Sequence, residues 1–224
     1  MAAMATEPHP ATDALLERWN ALLTRCGARV DPAPYGRELL RRWAEPQRRY
    51  HTTDHLLAVL DEVDALAGDA DDPDTVRLAA WFHDAVYQPD RSENEERSAQ
   101  LAIRALGEAG LAQQRIEGTV RLVRLTVSHH PLRGDRDGEV LCDADLAVLG
   151  RPPQQYAAYA AAIRAEYAFV PEEVFRRERA RILRQLLALP ALYRTAAAHR
   201  RHDGQARANL AAELAELAEP TGPA

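Results

Sequence analysis

Apolar residues recur along this chain at three- and four-residue spacing in nearly every stretch between breaks. Alternating apolar and polar runs rich in Val, Ile and Thr are missing, so the pattern predicts helices and no strands. Over residues 13–26, Leu15, Leu16, Trp19, Leu22 and Leu23 share one face, with Thr12 placed to cap the start and Gly27 following the end. Residues 35–44, 52–66 and 73–87 repeat the theme, the last opening on Asp72 and Pro73 as cap and first-turn proline. Helices over 92–107 and 112–128 follow. The turn-rich segment 131–139, with Gly134, Asp135, Asp137 and Gly138, reads as a loop just before Leu141-Cys-Asp-Ala-Asp-Leu146. Helices resume over 155–169, 172–189 and 191–199, with a last amphipathic segment over 205–218. The ends, 1–11 and 219–224, read as flexible. Without a composition break or internal repeat, 12–218 is expected to form one all-α domain, a bundle of roughly nine to eleven helices.

Composition narrows the class. At 224 residues, with 46% hydrophobic and 28% charged positions, the chain is long enough to bury a core without covalent staples. A net charge of -6 weighs against a nucleic-acid polymer as partner. All 28 basic residues are Arg, which genome composition explains without any demand for guanidinium groups. Cys26 and Cys142 are too few for a disulfide framework or a thiolate zinc cluster, and they suit a reducing compartment. The first ten residues lack a signal-peptide pattern, and the longest apolar run, 156–163, is far below the roughly 18 residues of a membrane span. A cytoplasmic protein with no membrane partner is therefore expected.

The histidines are not scattered. Of eight, five lie between residues 51 and 130, each near an Asp or another His, while His9, His199 and His202 lie in or near the tails. His51 and His55 are four apart at a helix start and so share a face. His83 and Asp84 stand late in an otherwise apolar helix, where unpaired polar groups would be costly to bury. A divalent cation would remove that cost. Held by His55, His83, Asp84 and one later carboxylate, it would meet two neutral imidazoles and two anionic oxygens. Such mixed ligation favours Mn²⁺, Fe²⁺, Co²⁺, Ni²⁺ or Zn²⁺ over Ca²⁺, with Mg²⁺ a further candidate, and leaves positions open for water and substrate. The later carboxylate is expected in Asp143-Ala-Asp145-Leu. Asp145, embedded in helix before an apolar run, needs a partner more than Asp143 does.

These residues resemble the HD superfamily of metal-dependent phosphohydrolases, whose pattern is His, then His-Asp, then a distant Asp. More narrowly, Arg49-Tyr-His-Thr-Thr-Asp-His55, Ala80-Trp-Phe-His-Asp-Ala-Val-Tyr87, Asn94-Glu-Glu-Arg-Ser-Ala99 and Asp143-Ala-Asp-Leu-Ala-Val-Leu-Gly150 look like a bacterial branch of predicted HD phosphohydrolases. The likeness continues through Ile163-Arg-Ala-Glu-Tyr167 and from Phe175 to Tyr193, so it spans residues 13–195. It implies an HD-like helical domain with the metal site in its core, and His55, His83, Asp84 and Asp145 as ligands. The string Tyr50-His-x-x-x-His55 is also similar to that of cyclic-nucleotide phosphodiesterases, where the first His gives a proton to the leaving oxygen. Carried over, that role falls to His51, without implying a cyclic nucleotide as substrate.

Several further groups are candidates beside that set. Glu95 could orient or deprotonate water, or could belong to a solvated helix start. His129 and His130 could reach a second metal or a substrate phosphate, or could be imidazoles favoured at a helix C-terminus. Arg48 and Arg49 could clamp a phosphate. Arg179 resembles an arginine of the family's C-terminal stretch, with Glu178 standing where the family has Gly. Trp19, Trp43, Trp81, Phe82 and Tyr87 are expected in the core, with Tyr50 and Tyr87 also flanking the metal site. The reaction implied is hydrolysis of a phosphoester or phosphoanhydride of a small phosphorylated substrate, a nucleotide first. The alternatives are a metal-containing sensor or interaction module that binds a nucleotide without turnover, and a core of satisfied histidines with no metal.

Overall fold

The computed structural model describes residues 9–218, so the ends 1–8 and 219–224, where fraying is expected, lie outside the described residues. Among those described there are ten α-helices, two short 3-10 turns and no strand, as the apolar spacing predicts. In chain order the helices are α1 (Thr12–Arg25), α2 (Ala33–Trp43), α3 (Thr53–Ala65), α4 (Pro73–Phe82) and α5 (Asn94–Glu108). They continue with α6 (Gln113–Leu125), α7 (Arg136–Asp145), α8 (Pro153–Glu166), α9 (Glu172–Leu187) and α10 (Ala196–Ala218). The 3-10 turns are Ala67–Asp69 and Leu146–Gly150.

Helix α4 lies at the centre because beyond its first turn Arg77 is its one polar residue. Val76, Leu78, Ala79, Ala80, Trp81 and Phe82 are all buried, and α1, α3, α5, α6 and α7 pack around them. Trp19 of α1 meets this helix edge-on, 5.1 Å from the Trp81 ring and 6.0 Å from Phe82. Its indole N–H donates to the Pro32 carbonyl at 2.8 Å, which brings the start of α2 close. At Gly36 an added Cβ would lie 2.5 Å from Trp19 Cδ1, so only glycine lets α2 cross α1 there. All five aromatic residues expected in the core are buried. One hydrophobic cluster extends from Leu15 to Leu210, and each leucine fully buried in it contributes about 1.5–3 kcal/mol.

Four local expectations need correction. Ala11, not Thr12, is the N-cap of α1, while Gly27 does follow its end in the left-handed conformation, φ +81°. Helix α4 stops at Phe82 instead of running to residue 87, because Arg48 reaches in and takes the Asp84 and Ala85 carbonyls as acceptors. The 131–139 loop is only half a loop. Asp135 accepts from Gly138 N–H and caps α7 from Arg136 onward, while Asp137 accepts from the backbone N–H groups of Asp71 and Asp72. Finally, the two segments expected over 191–199 and 205–218 form one helix, α10, that carries Gly204 in its interior. It starts late because Thr195 Oγ1 accepts from Ala198 N–H, and Asp143 accepts from the N–H groups of Arg194 and Thr195. That use of Asp143 leaves Asp145 free for other work. Helix α10 packs on α9 and on the 3-10 turn Leu146–Gly150, where Asn209 donates to the carbonyls of Leu149 and Arg151.

Candidate metal centre

His55 projects from the first turn of α3, His83 and Asp84 follow the end of α4, and Asp145 closes α7. These three elements pack on one another, so residues far apart in sequence converge. His55 Nε2 and His83 Nε2 stand 3.2 Å apart. Asp145 Oδ1 lies 3.1 Å from the first and 3.6 Å from the second. One donor atom from each of His55, His83 and Asp145 falls within 4.8 Å of the others. Asp84 Oδ2 stands at the edge of this group, 3.2 Å from His83 Nε2 and 4.0 Å from His55 Nε2. Trp43 walls off the inner side, its ring 5.4 Å from His83 and 6.1 Å from His55.

Proton positions make this donor set fit a cation. His83 Nδ1 faces the Ala80 carbonyl at 2.8 Å and donates to it, so in its neutral form the ring presents the Nε2 lone pair to the cluster. Two ring nitrogens and two carboxylates then face one small volume, with no Lys or Arg side chain bonded to any of them among the described residues. Ligands about 2.1 Å from a divalent ion stand roughly 3.0–3.4 Å from one another; the 3.1, 3.2 and 3.2 Å spacings here are of that size, while those of 3.6 and 4.0 Å are wider. Burial pushes His55 below the ordinary imidazole range, against a hydrogen bond to Asp145. For His83 burial acts in the same direction, but the charges of Asp84 and Asp145 outweigh it and hold the imidazole well above its ordinary value. Burial would raise both carboxylates; His83 instead draws Asp84 and Asp145 below the usual range. A cation favours the same ionised carboxylates.

The remaining candidates separate clearly. His129 is brought in, its Nε2 donating to Asp145 Oδ2 at 2.7 Å. His130 is not; it is exposed and its Nδ1 donates to the Ser128 carbonyl. Glu95 lies in the first turn of α5, and among the described residues no hydrogen bond or ion pair joins it to the cluster. Arg48 is no phosphate clamp: it is buried, donates to the carbonyls of His51 and Asp84 at 2.9 Å, and ties the two histidine segments together. Arg179 is likewise committed elsewhere, with both carboxylate oxygens of Glu213 as bidentate partners and its guanidinium 5.3 Å over Tyr159. Arg49 is exposed, and among the described residues its guanidinium donates only to the Pro46 and Arg48 carbonyls.

Beside the cluster opens a cleft of about 350 Å³ whose floor includes His55 and Asp145. Arg49 and Arg151 line it together with Tyr50, and Val59, Val148 and several alanines form an apolar wall. Arg151, which sequence reasoning missed, follows the turn ending at Gly150, at the end of a string read only for its aspartates. His51 precedes α3, whose N-cap is Thr52, so it does not share a helix face with His55 as expected, and it does not line this cleft. Its Nε2 is 3.8 Å from Asp84 Oδ2, and Tyr87 stacks on its ring at 4.1 Å. Its Nδ1 meets Glu166 at 2.7 Å. Burial would raise the Glu166 carboxyl, but the hydrogen bond and charge of His51 and backbone N–H groups hold it down at about 2. Comparison with protein families, curated proteins and solved structures found no match to this chain.

Proposed function

We propose that the protein is a metal-dependent phosphohydrolase of the HD type, acting on a small phosphorylated substrate, a nucleotide first. The observation that carries this reading is the pair of imidazole Nε2 atoms facing each other at 3.2 Å between carboxylates, beside an open cleft lined by arginine. His55, His83, Asp84 and Asp145 would hold the ion. A divalent ion there lowers the pKa of water and polarises a phosphoryl oxygen. Arg49 and Arg151 bind the anionic end of the substrate in the cleft, and His129 keeps the Asp145 carboxylate oriented. His51 gives its Nε2 proton to the leaving oxygen as the P–O bond breaks. The cleft volume, near the small end of ligand sites, suits a compact molecule better than a polymer. A sensor that binds without turnover has no use for a further, separately held imidazole such as His51.

The test is phosphate release from a nucleotide panel with Mn²⁺ or Co²⁺. Wild type is expected to turn over at least one member, Asp84→Ala none, and His51→Asn to keep metal while losing turnover. A wild type that gains no activity from either ion would overturn the reading.

A further inference from the structure

Glu166, the last residue of α8, has a side chain with 0% exposure, yet it is an ionised acid among neutral backbone and aromatic groups. Its two oxygens are used differently. Oε1 accepts three successive backbone N–H groups, from Arg49 at 2.8 Å, Tyr50 at 2.9 Å and His51 at 3.0 Å. That oxygen shapes the segment leading into α3. Oε2 accepts from the Tyr87 hydroxyl at 2.9 Å and from His51 Nδ1 at 2.7 Å. Shaping the backbone needs only the first oxygen, and an amide would serve for it.

The second oxygen fixes a proton. A carboxylate oxygen only accepts, so the imidazole nitrogen facing it must carry hydrogen. His51 cannot turn away, because Tyr87 stacks on one face at 4.1 Å and Tyr50 sets its edge against the ring at 4.9 Å. With Nδ1–H spent on Glu166, the other nitrogen is directed toward the metal cluster, 3.8 Å from Asp84 Oδ2. We infer that Glu166 is a positioning residue for His51, holding its imidazole in the Nδ1–H form so that Nε2 is the nitrogen that exchanges a proton with substrate. This rests on the phosphohydrolase reading, in which His51 is the proton donor. In each turnover the oxygen of water bonds to phosphorus as the P–O bond to the leaving group opens, and the Nε2–H bond of the imidazolium breaks as the leaving oxygen gains that proton. The ring is left neutral, with Nδ1–H still on Glu166, and the proton released by the attacking water restores Nε2–H through solvent.

Glu166→Gln separates the two oxygens. Its amide oxygen can still accept the three backbone N–H groups, but its NH₂ presents hydrogen to His51 Nδ1 and favours the opposite tautomer. The direct readout is the long-range ¹H–¹⁵N spectrum of the His51 ring, assigned by loss in His51→Asn. It is recorded on protein loaded with diamagnetic Zn²⁺, at a pH where the ring carries one proton. Wild type is expected to show protonated Nδ1 and bare Nε2, and Glu166→Gln the reverse. With Mn²⁺, kcat of Glu166→Gln should fall about 10²-fold, the usual worth of general acid catalysis, with KM within about twofold. Tyr87→Phe, which leaves the Glu166–His51 bond in place, should keep the wild-type tautomer. Protonated Nε2 in wild type, or a Glu166→Gln protein whose His51 spectrum and kcat match wild type, would overturn the inference. Should Glu166→Gln fail to fold, the wild-type spectrum decides alone. An inactive wild type counts against the phosphohydrolase reading, because the spectrum is read without turnover.

Discussion

At His129 the backbone takes a φ of +49°, a left-handed conformation that costs a residue with a side chain about 1–2 kcal/mol. What that turn secures is the 2.7 Å bond from the imidazole to Asp145 Oδ2, which aims Oδ1 at His55 and His83. A group that orients a ligand typically contributes a factor of about 10–100 in metal affinity. His129→Ala is therefore expected to weaken Mn²⁺ binding by about that factor in a calorimetric titration, and unchanged affinity would deny the role. Arg151→Ala should raise KM at least about tenfold, the worth of one charge-assisted hydrogen bond, while kcat changes little in steady-state assays. Residues of this kind differ in how far the sequence discloses them. His83, Asp84 and Asp145 are legible because a histidine or carboxylate beside apolar positions needs a partner, and His51 and His55 from their four-residue spacing and the resembling strings. Glu166 appeared only inside a resembling string, and Arg151 not at all. Each is one of many similar residues, and only the packing of α8 and of the Leu146–Gly150 turn brings it to the site.

Between elements, the decisive contacts are made by side chains that satisfy helix ends. Asp143 takes the N–H groups of Arg194 and Thr195 and so fixes where α10 begins. Removing a buried acceptor of this kind costs about 1–3 kcal/mol, so Asp143→Ala should lower Tm by several degrees in a thermal melt without changing helix content at low temperature. No change in Tm would show that the bonds are replaced by water. Apolar periodicity located every helix before α10 except α7, the first part of which reads as a loop. It misplaced their ends where tertiary groups intervene. Arg48 terminates α4 by capturing carbonyls from 36 and 37 residues away, and Asp135 starts α7 inside a segment of turn-forming residues. The break expected near Gly204 did not materialise, since His202 and Asp203 on the buried side hold that turn of α10 to Glu62 and to the Leu192 N–H.

For the molecule as a whole, α10 closes over the bundle partly through charge. Glu62 of α3 accepts from His202 Nε2 at 3.0 Å and pairs with Arg201 at 2.9 Å. The His202 hydrogen bond lowers the Glu62 carboxyl below its usual value despite burial. A depressed carboxyl stabilises the fold fully above its unfolded value, about 4.5, and loses that contribution as pH falls through the folded value. Tm of wild type should therefore fall more steeply than that of Glu62→Gln as pH drops below about 4.5, and parallel profiles would contradict this. No described helix is long and apolar enough to cross a membrane.

The fold's main consequence is convergence: α3, the end of α4 and α7 bring His55, His83 and Asp145 together, with Asp84 at the edge of the group, beside a cleft. Calorimetric titration of chelator-treated protein with Mn²⁺ tests that claim most directly. Wild type is predicted to bind at least one ion per chain, and Asp145→Ala to lose that binding. A wild type that binds no divalent ion, or an Asp145→Ala protein that binds as tightly, would contradict it.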